Sequence, residues 1–363
     1  MLGSIFWKGY IMDFEKDNNL SSPGEPEPSS PPPPISEVTV PLTEKPRRRT
    51  GWRIFWGIIL VLSILANIAL FMILIGVVAV FAAGQKGIFT EEVIQAGPRT
   101  TKIAVIKLEG IIDAAQARGL YQQMKVVRKD KRVKGLIIRV NSPGGTISGS
   151  DQIYNEILKY RHEEEKPVVA FMQGVAASGG YYTSVACEKI IAEPTTITGS
   201  VGVIAGHFVL QELLENKLGI QPVIFKSGEK KDWPSPFEAV TDEQRQYIQE
   251  KLIGPAFNRF VQVVADGRAD LTLDDVERLA DGSIYSVHEA LDEKLIDEIG
   301  YLDEAIELVK SLAGVEEAMV VEYEKPFSLA GFLSVRSNNI LRINRSMLYE
   351  LSTPQVLYLW SLY

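Results

Sequence analysis

An uncharged stretch of 30 residues, from Ile54 to Ala83, places the strongest constraint on what this chain can form. As a helix it would extend about 45 Å at roughly 1.5 Å per residue, whereas the hydrocarbon core of a bilayer is about 30 Å thick. A cleaved signal peptide has a shorter apolar run of about 7–15 residues, so the length favours a retained anchor. We therefore expect one transmembrane helix over 53–84.

Basic residues flank this segment on its upstream side. Five lie between residues 45 and 53, whereas the 15 residues that follow the segment contain only Lys86. The positive-inside rule then predicts a single-pass protein of the cytoplasmic (inner) membrane, with its N-terminus in the cytoplasm and the bulk of the chain outside. Residues 1–52 would be a disordered cytoplasmic tail, because nine of the 19 prolines lie within 23–46. Met1 and Met12 are alternative starts of this tail.

Composition excludes several classes of function. The net charge of −8 argues against a nucleic-acid-binding chain, which needs a surplus of cations to neutralise phosphates. A single cysteine, Cys187, allows no internal disulfide, and we expect it to be a buried, unreactive residue. With only three histidines and no His-Glu-x-x-His spacing, the sequence predicts no metal site.

After a polar linker over 85–101, apolar strand patterns alternate with helical ones. We expect helices over Ile153 to Glu165 and Phe208 to Leu218. The predicted strands are Lys102–Leu108, Gly135–Val140, Pro167–Met172, Lys189–Ala192 and Pro222–Lys226. The alternation indicates an α/β domain over 102–325, followed by an apolar tail over 326–363. We expect the tail to pack on its own domain or on another subunit, with insertion into a protease groove or contact with the membrane as alternatives.

Two glycine-rich turns carry groups that suit catalysis. Asn141-Ser142-Pro143-Gly144-Gly145-Thr146 follows one predicted strand, and the segment 174–182, with Ser178 among small residues, follows another. Backbone N–H groups in such turns can bind a developing oxyanion, and a serine on a tight turn can present its hydroxyl as a nucleophile. The simpler alternatives are an ordinary turn for the first motif and a helix N-cap role for Ser178.

A nucleophilic serine needs a general base. His162, His207 and His288 all lie outside glycine-rich turns and strand ends, so lysine is the stronger candidate. The loop 226–234 offers three lysines, although a solvated charged turn is the simpler alternative. The ordinary lysine pKa of about 10.4 must fall by several units for such a base to work, through burial or neighbouring charge. The hydroxyl of Ser200 could hold the amine in position.

Four motifs together resemble the signal peptide peptidase A family of membrane-bound Ser/Lys proteases, in its single-copy form. In chain order they are Asn-Ser-Pro-Gly144-Gly, Gly-Val-Ala-Ala-Ser178-Gly-Gly-Tyr-Tyr, Thr-Gly-Ser200-Val-Gly-Val and Lys-Ser-Gly-Glu-Lys-Lys231-Asp. The resemblance covers 102–325. It implies the Clp protease/crotonase fold, an α/β architecture of repeated ββα units, here preceded by one transmembrane helix.

The resemblance also implies roles for the matched residues. Ser178 would be the nucleophile, Lys231 its general base, and Ser200 would position the lysine. The neighbouring Lys230 is a departure from the family pattern and a rival for the role of base, and its charge would lower the pKa of Lys231.

Backbone groups complete the implied site. Gly145 and Gly179 would donate N–H groups to the oxyanion, with Gly144 as the alternative donor. A peptide substrate would add as a strand beside Gly145 or along a segment made of Gly202, Val203 and Ile204.

The resemblance implies an endopeptidase that degrades remnant signal peptides and other apolar peptides, without a cofactor. It further implies an obligate homo-oligomer whose active sites combine residues of neighbouring subunits. Three alternatives remain open: a stomatin-associated Ser/Lys protease, a catalytically silent membrane scaffold, and a crotonase-type acyl-CoA enzyme. Ring size, cleavage preference and natural substrate are not determined by these motifs.

Overall fold

The computed structural model describes residues 50–83, 89–324 and 355–360, so the predicted cytoplasmic tail up to residue 49 and most of the C-terminal tail lie outside it. The first helix, α1, spans Thr50–Ala83. Its segment Gly51–Val78 has a mean hydropathy of 3.0, and its side chains are exposed. Trp52 and its aromatic neighbours cluster near the helix start, and such residues concentrate at membrane interfaces. The helix is long and apolar enough to cross a membrane, as predicted.

The remaining elements alternate in the order expected for an α/β domain. Within the described residues, the later α-helices are α2 (Ala114–Lys129), α3 (Ile147–Glu164), α4 (Gly179–Ser184), α5 (Asp242–Ile248), α6 (Gly254–Gly267), α7 (Leu273–Leu279), α8 (Val287–Asp292) and α9 (Leu302–Ala313). The strands are β1 (Thr90–Gln95), β2 (Lys102–Glu109), β3 (Val133–Ser142), β4 (Gly144–Thr146), β5 (Val168–Ala177), β6 (Lys189–Ala192), β7 (Ile197–Gly199), β8 (Ile204–Gly206), β9 (Ile284–Ser286), β10 (Glu298–Ile299), β11 (Met319–Glu324) and β12 (Gln355–Leu359).

Nine strands form one mixed sheet. Its path is β1-β11-β2-β3-β5-β6-β10, and β7 extends it by pairing with β5 and β9. The strands from β11 to β10 along this path pair in parallel, whereas β1 is antiparallel to β11. A separate three-stranded sheet has the order β4-β12-β8. The carboxyl ends of β3 and β5 lead into the two glycine-rich turns, which places both turns at one edge of the parallel sheet.

Both faces of the parallel sheet are buried, which explains why its strands read as nearly continuous apolar runs. On one face, Ile103 and Val105 pack with Val309 of α9. On the other, Ile106 and Leu108 share a core with helices α2, α3 and α6. The predicted strands that became β2, β3, β5 and β6 are confirmed, and helix α3 covers the predicted 153–165 helix with Glu165 as its C-terminal cap.

Two parts of the sequence prediction are wrong. The linker 85–101 contains strand β1, whose exposed polar residues carry no local strand pattern and which is held by pairing with β11. The strand predicted over 222–226 is absent from the described residues, and the helix predicted over 208–218 is reduced to a short helical segment with a π-helical core at Leu213–Lys217. The apolar side chains there are exposed, with Phe225 at 94%, and no strand within residues 89–324 or 355–360 pairs with this segment.

Candidate active site

Ser178 lies at the junction of β5 and α4, in a backbone conformation (φ 52°, ψ −114°) that residues with side chains rarely adopt. Its N–H donates to the Gly199 carbonyl at 2.8 Å, and its own carbonyl accepts from the Tyr182 N–H at 2.8 Å. The side chain is buried and makes no capping hydrogen bond to α4, so the helix-cap alternative is wrong. This geometry is typical of a strand-to-helix turn that presents a nucleophile.

The two glycine-rich turns pack directly against each other. A methyl group on Gly180 would lie 2.7 Å from the Ser142 carbonyl oxygen, and one on Gly179 would lie 2.5 Å from the Ser150 hydroxyl and 3.0 Å from the Gly144 Cα. Any larger residue would push the turns apart, so this close backbone approach accounts for the glycines in both motifs. The structure therefore brings together two motifs that are more than 30 residues apart in the sequence.

Ser200 shares a cavity with Ser178. It also adopts a left-handed conformation (φ 51°), held by a 2.7 Å hydrogen bond from its N–H to the Ser283 carbonyl. The cavity has a volume of about 290 Å³ and also contacts Gly202, Val203 and Ile204, the residues predicted to bind a substrate strand. Further lining residues are Phe257, Ala280, Asp281, Gly282 and Leu359.

The tail strand β12 fills the space between β4 and β8. It is antiparallel to both: Leu357 lies opposite Thr146 and Ile204, and Tyr358 lies opposite Gly145. Gly145 and Ile204 are among the residues beside which the sequence predicted that a peptide substrate would add, whereas Gly202 and Val203 do not pair with β12. Residues 355–360 therefore pack on their own domain, between β4 and β8. That these two strands form the substrate groove stays a prediction.

The Tyr358 carbonyl lies against the glycines predicted to form the oxyanion site. A methyl group on Gly144 would collide with this oxygen, and one on Gly179 would lie 3.1 Å from it. The Gly144 N–H, the alternative donor, already donates to the Ser142 hydroxyl at 3.0 Å. Gly179 is the first residue of α4, where a backbone N–H has no partner within the helix.

Lys231 does not line this cavity. It lies in a short 3₁₀ segment, Glu229–Asp232, with its side chain exposed, and makes no side-chain hydrogen bond or ion pair with the described residues. Lys230 differs, since its Nζ is 3.1 Å from a Glu243 carboxylate oxygen and 4.7 Å from the centre of the Trp233 ring. These contacts occupy Lys230 and leave Lys231 the more available of the two amines.

The three histidines, like Lys231, do not line the Ser178 cavity. His162, His207 and His288 all lie in the described residues. Cys187 is no nucleophile, because burial raises the pKa of its thiol to about 12.

A second group of residues beside the cavity was missed by sequence reasoning. The Tyr182 hydroxyl donates to the Asp151 carboxylate at 2.6 Å, and Arg259 contacts the same carboxylate oxygen at 3.2 Å. Burial, and then the Asp151 hydrogen bond, raise the pKa of Tyr182, so this phenol stays protonated. The Tyr182 and Phe260 rings pack with the tail residue Tyr358. The signal available in the sequence was the paired tyrosine after Ser178, which helical packing explains equally well.

Two protein-family models match the part of the chain that contains this site. The family model of Peptidase family S49 matches residues 160–316, which include Ser178, Ser200 and Lys231. The model of the Clp protease family matches residues 90–197, which include both glycine-rich turns. The two matches overlap over residues 160–197, which include Ser178.

Individual relatives agree with these matches. An Enterococcus faecium protein named "Putative signal peptide peptidase SppA" is 37% identical over 256 residues, 68% of this chain and 73% of that protein. The chloroplastic serine protease SPPA of Arabidopsis thaliana is 31% identical over 261 residues, 68% of this chain and 38% of that protein. Protease 4 of Salmonella typhi is 33% identical over 225 residues, 59% of this chain and 35% of that protein. The chain thus belongs to peptidase family S49, and it is a serine protease with a Clp protease-like α/β fold.

Proposed function

We propose that this chain is a membrane-anchored endopeptidase in which Ser178 and Lys231 form the catalytic dyad. One observation carries the proposal: Ser178 occupies a strained turn packed against the Gly144–Gly145 turn, and an extended peptide segment pairs with that turn. An extended strand at this place presents a peptide carbonyl to the groups that acyl transfer requires.

The reaction would proceed through an acyl-enzyme. The neutral amine of Lys231 takes the proton of the Ser178 hydroxyl as its oxygen bonds to the peptide carbonyl carbon, and the Gly145 and Gly179 N–H groups stabilise the resulting oxyanion. The lysine ammonium then gives its proton to the leaving nitrogen as the peptide bond breaks. A water molecule, deprotonated by the same lysine, attacks the ester carbonyl carbon. The lysine ammonium then returns this proton to the Ser178 oxygen as the ester bond breaks, which releases the acid product and restores the serine hydroxyl and the neutral amine.

We infer that Lys231 acts in the active site of a neighbouring copy of the chain. Its exposed position away from the Ser178 cavity supports an arrangement in which the dyad forms across a subunit interface. The segment 208–225, which leads to the lysine loop, exposes a run of large apolar side chains, and contiguous exposed apolar surface marks an interaction site. Its members include Phe208, Val209, Leu213, Leu218, Ile220, Val223, Ile224 and Phe225. A second copy covering this surface would also shield the lysine loop from water.

We propose cleaved signal peptides and other apolar peptides as substrates. The α1 helix supports a location at the membrane where such peptides accumulate, and the basic flank upstream of it favours a protease domain outside the cytoplasm. The peptide seated in the groove is itself apolar, with the sequence Gln-Val-Leu-Tyr-Leu-Trp over 355–360.

The dyad is tested with three single variants assayed on an internally quenched peptide. We expect Ser178→Ala and Lys231→Met each to lower kcat/KM by at least roughly a thousandfold, because loss of a nucleophile or its base removes the chemical step. Lys230→Met is the matched control and should retain activity within about tenfold, since it removes the same charge from the adjacent position. An active Ser178→Ala protein would refute the nucleophile, and loss of activity in Lys230→Met alone would transfer the role of base to Lys230.

Mixing tests the shared site. If the dyad forms across an interface, co-assembly of the Ser178→Ala and Lys231→Met chains restores intact pairs at about a quarter of the interfaces, and activity returns to about that fraction of the wild-type value. If the Ser178→Ala and Lys231→Met chains stay inactive after co-expression and co-purification, Ser178 and Lys231 of one active site belong to the same subunit.

A further inference from the structure

Helix α2 and the residues that follow it concentrate positive charge. Residues 114–134 contain seven basic side chains and one acidic side chain, whereas the chain as a whole has a net charge of −8. Within α2 itself, Ala114–Lys129, there is no aspartate or glutamate. A basic helix on an acidic protein is typical of a surface that meets an anionic partner.

The positive charge of α2 lies mainly on one face of the helix. Arg118, Lys125 and Lys129 are separated by seven and four residues, a spacing that places them on the same side. All three side chains are exposed and form no ion pair with the described residues, and Lys131 in the next loop is exposed in the same way. Arg128 differs, because it is half-buried and pairs with two glutamates of α3. Four cations are therefore available to a partner.

A tyrosine shares this side of the helix. Tyr121 is 44% exposed, and the Lys125 Nζ lies 5.4 Å from the centre of its ring. Tyrosine among basic residues is a combination found where a helix lies at the level of lipid headgroups. Arg118, Tyr121, Lys125, Lys129 and Lys131 are referred to below as the basic face.

The loop after α2 lies beside the strand that follows the membrane helix. The buried Lys102 Nζ is 2.6 Å from a Glu91 carboxylate oxygen on β1 and 3.0 Å from an Asp130 carboxylate oxygen at the end of α2. Strand β1 begins at Thr90 and α1 ends at Ala83, and a connection of that length extends at most about 25 Å. The same ion pairs therefore fix the end of the basic helix to the strand that follows the anchor most closely.

The other end of α2 adjoins the first glycine-rich turn. Ile112, two residues before the helix, donates its N–H to the Gly144 carbonyl at 2.8 Å, and its own carbonyl accepts from the Thr146 N–H at 2.7 Å. The 16 residues of α2 extend about 24 Å at roughly 1.5 Å each. If α2 lay along a bilayer surface, it would hold this turn beside the lipid.

We propose that the basic face docks on anionic phospholipid headgroups of the bilayer that α1 spans. Each basic residue near an anionic membrane shifts the ratio of docked to free states by roughly fivefold, so three together shift it by roughly a hundredfold. Docking keeps the opening of the candidate active site at the membrane surface. This interaction goes beyond the catalytic assignment and does not depend on it.

The test places a fluorophore on the basic face of the full-length protein in lipid nanodiscs. Gln122→Cys, four residues after Arg118, is labelled with an NBD maleimide, while the native Cys187 is buried and stays unlabelled. Ser311→Cys is the matched position, because it lies on α9 and α9 covers the opposite face of the sheet. The nanodiscs contain phosphatidylcholine alone or with about one third phosphatidylglycerol. A minor fraction of lipid with a nitroxide headgroup quenches any NBD group that touches the surface.

We expect quenching at position 122 to be at least about threefold stronger in anionic than in neutral nanodiscs. It should disappear at about 1 M salt, where the Debye length falls to about 3 Å. Quenching at position 311 should stay weak in both lipids. Inorganic phosphate added to the detergent-solubilised protein should leave the NBD spectrum unchanged. The same spectral change with free phosphate as with anionic lipid would overturn the proposal in favour of a small-anion site.

A matched pair of triple variants assigns the contact to α2. R118Q/K125Q/K129Q removes three charges of the basic face, and we expect the part of the quenching that depends on lipid charge to fall at least about tenfold. K189Q/K251Q/K294Q removes three exposed lysines on other elements and should leave it unchanged. Equal loss in both variants would show that only net charge matters and would contradict the assignment. The salt titration of the unsubstituted basic face tests the same point without any risk to folding.

Two further outcomes would overturn the proposal. One is equal quenching at position 122 in neutral and anionic nanodiscs. The other is an NBD signal that follows protein concentration and not lipid charge, which would assign the basic face to contact with a second copy of the chain. These readouts need no peptidase activity, so failure of the Ser178 and Lys231 assignment would leave the lipid result intact.

Discussion

Replacing Tyr358 with alanine should activate the enzyme toward added peptides. The tail strand occupies both sides of the groove through β4 and β8, so a substrate can bind only when the tail has left. The Tyr358 ring is fully buried in the domain core. The change weakens the seated state of the tail without touching Ser178 or the lysine loop.

The expected size follows from the burial of this ring. Truncating a buried aromatic side chain to alanine costs about 3–5 kcal/mol, and even 3 kcal/mol shifts the equilibrium between seated and free tail by roughly 150-fold. Peptide turnover should rise by up to this factor, and should stop rising once the tail is mostly free. Tyr358→Phe loses only the hydrogen bond to Ala256, worth about 1 kcal/mol, and should give about fivefold.

The assay is kcat/KM on one quenched peptide for the wild-type chain, the two Tyr358 variants and a chain shortened to end at residue 354. Tyr301→Ala serves as the control, because this tyrosine is 58% exposed and far from the groove strands in sequence. Equal rates for wild type, Tyr358→Ala and the shortened chain, all within twofold, would show that the tail does not limit access and would refute the reasoning.

Other predictions address the thiol, the acid stability and the glycine contacts. Cys187 should not react with a thiol reagent at pH 8 in the folded protein and should react after unfolding, because burial raises its pKa to about 12; rapid labelling of the native protein would contradict this. Arg132, and then buried Lys102, hold the pKa of Asp130 well below its usual range. This group therefore stabilises the fold above the unfolded pKa of about 3.9, and the contribution is lost as the pH falls below that value. The thermal midpoint of the Asp130→Asn protein should accordingly change less than that of the wild-type protein between pH 6 and pH 3. An equal change of the midpoint in both proteins would show that the contacts of Asp130 with Arg132 and Lys102 do not contribute to acid stability. Gly144→Ala should lower peptidase activity at least tenfold, since a methyl group there collides with a carbonyl in the groove and φ is +99°; unaltered kcat/KM would argue against this close approach.

The parallel core could be predicted because its signal is local. Gly135–Val140 and Pro167–Met172 are apolar on both faces of the strand, a pattern that only a sheet covered on both sides produces, and they became β3 and β5. The Ser178 turn could be predicted for a similar reason, because small residues after a buried strand have few other uses. The apolar run near Phe225 also has a strand-like sequence pattern, but it does not form a strand and its side chains are exposed. An apolar pattern indicates that a segment becomes buried, but it does not indicate whether the same chain or another chain covers it.

The groove between β4 and β8, and its occupation by β12, could not be predicted from the sequence. Strands β4 and β8 are three residues long, too short for a periodic pattern, and β12 pairs with them across more than 140 residues of sequence. Whether the apolar tail would cover its own domain, a neighbour or the membrane depended on these non-local pairings. The contribution of Asp281 to the cavity likewise depends on a turn that approaches from a distant part of the chain.

The spacing of β4 and β8 restricts the shape of anything the enzyme can cut. Because one strand lies between β4 and β8, the groove is about 9–10 Å wide from the β4 backbone to the β8 backbone, twice the separation of neighbouring strands. An α-helix with its side chains is about 10–12 Å across, and its backbone N–H and C=O groups are already hydrogen-bonded within the helix, so they cannot pair with β4 and β8. A hydrophobic peptide that is helical in the bilayer must therefore leave the lipid and unwind before hydrolysis, and this extraction step would favour short fragments over intact membrane-spanning helices.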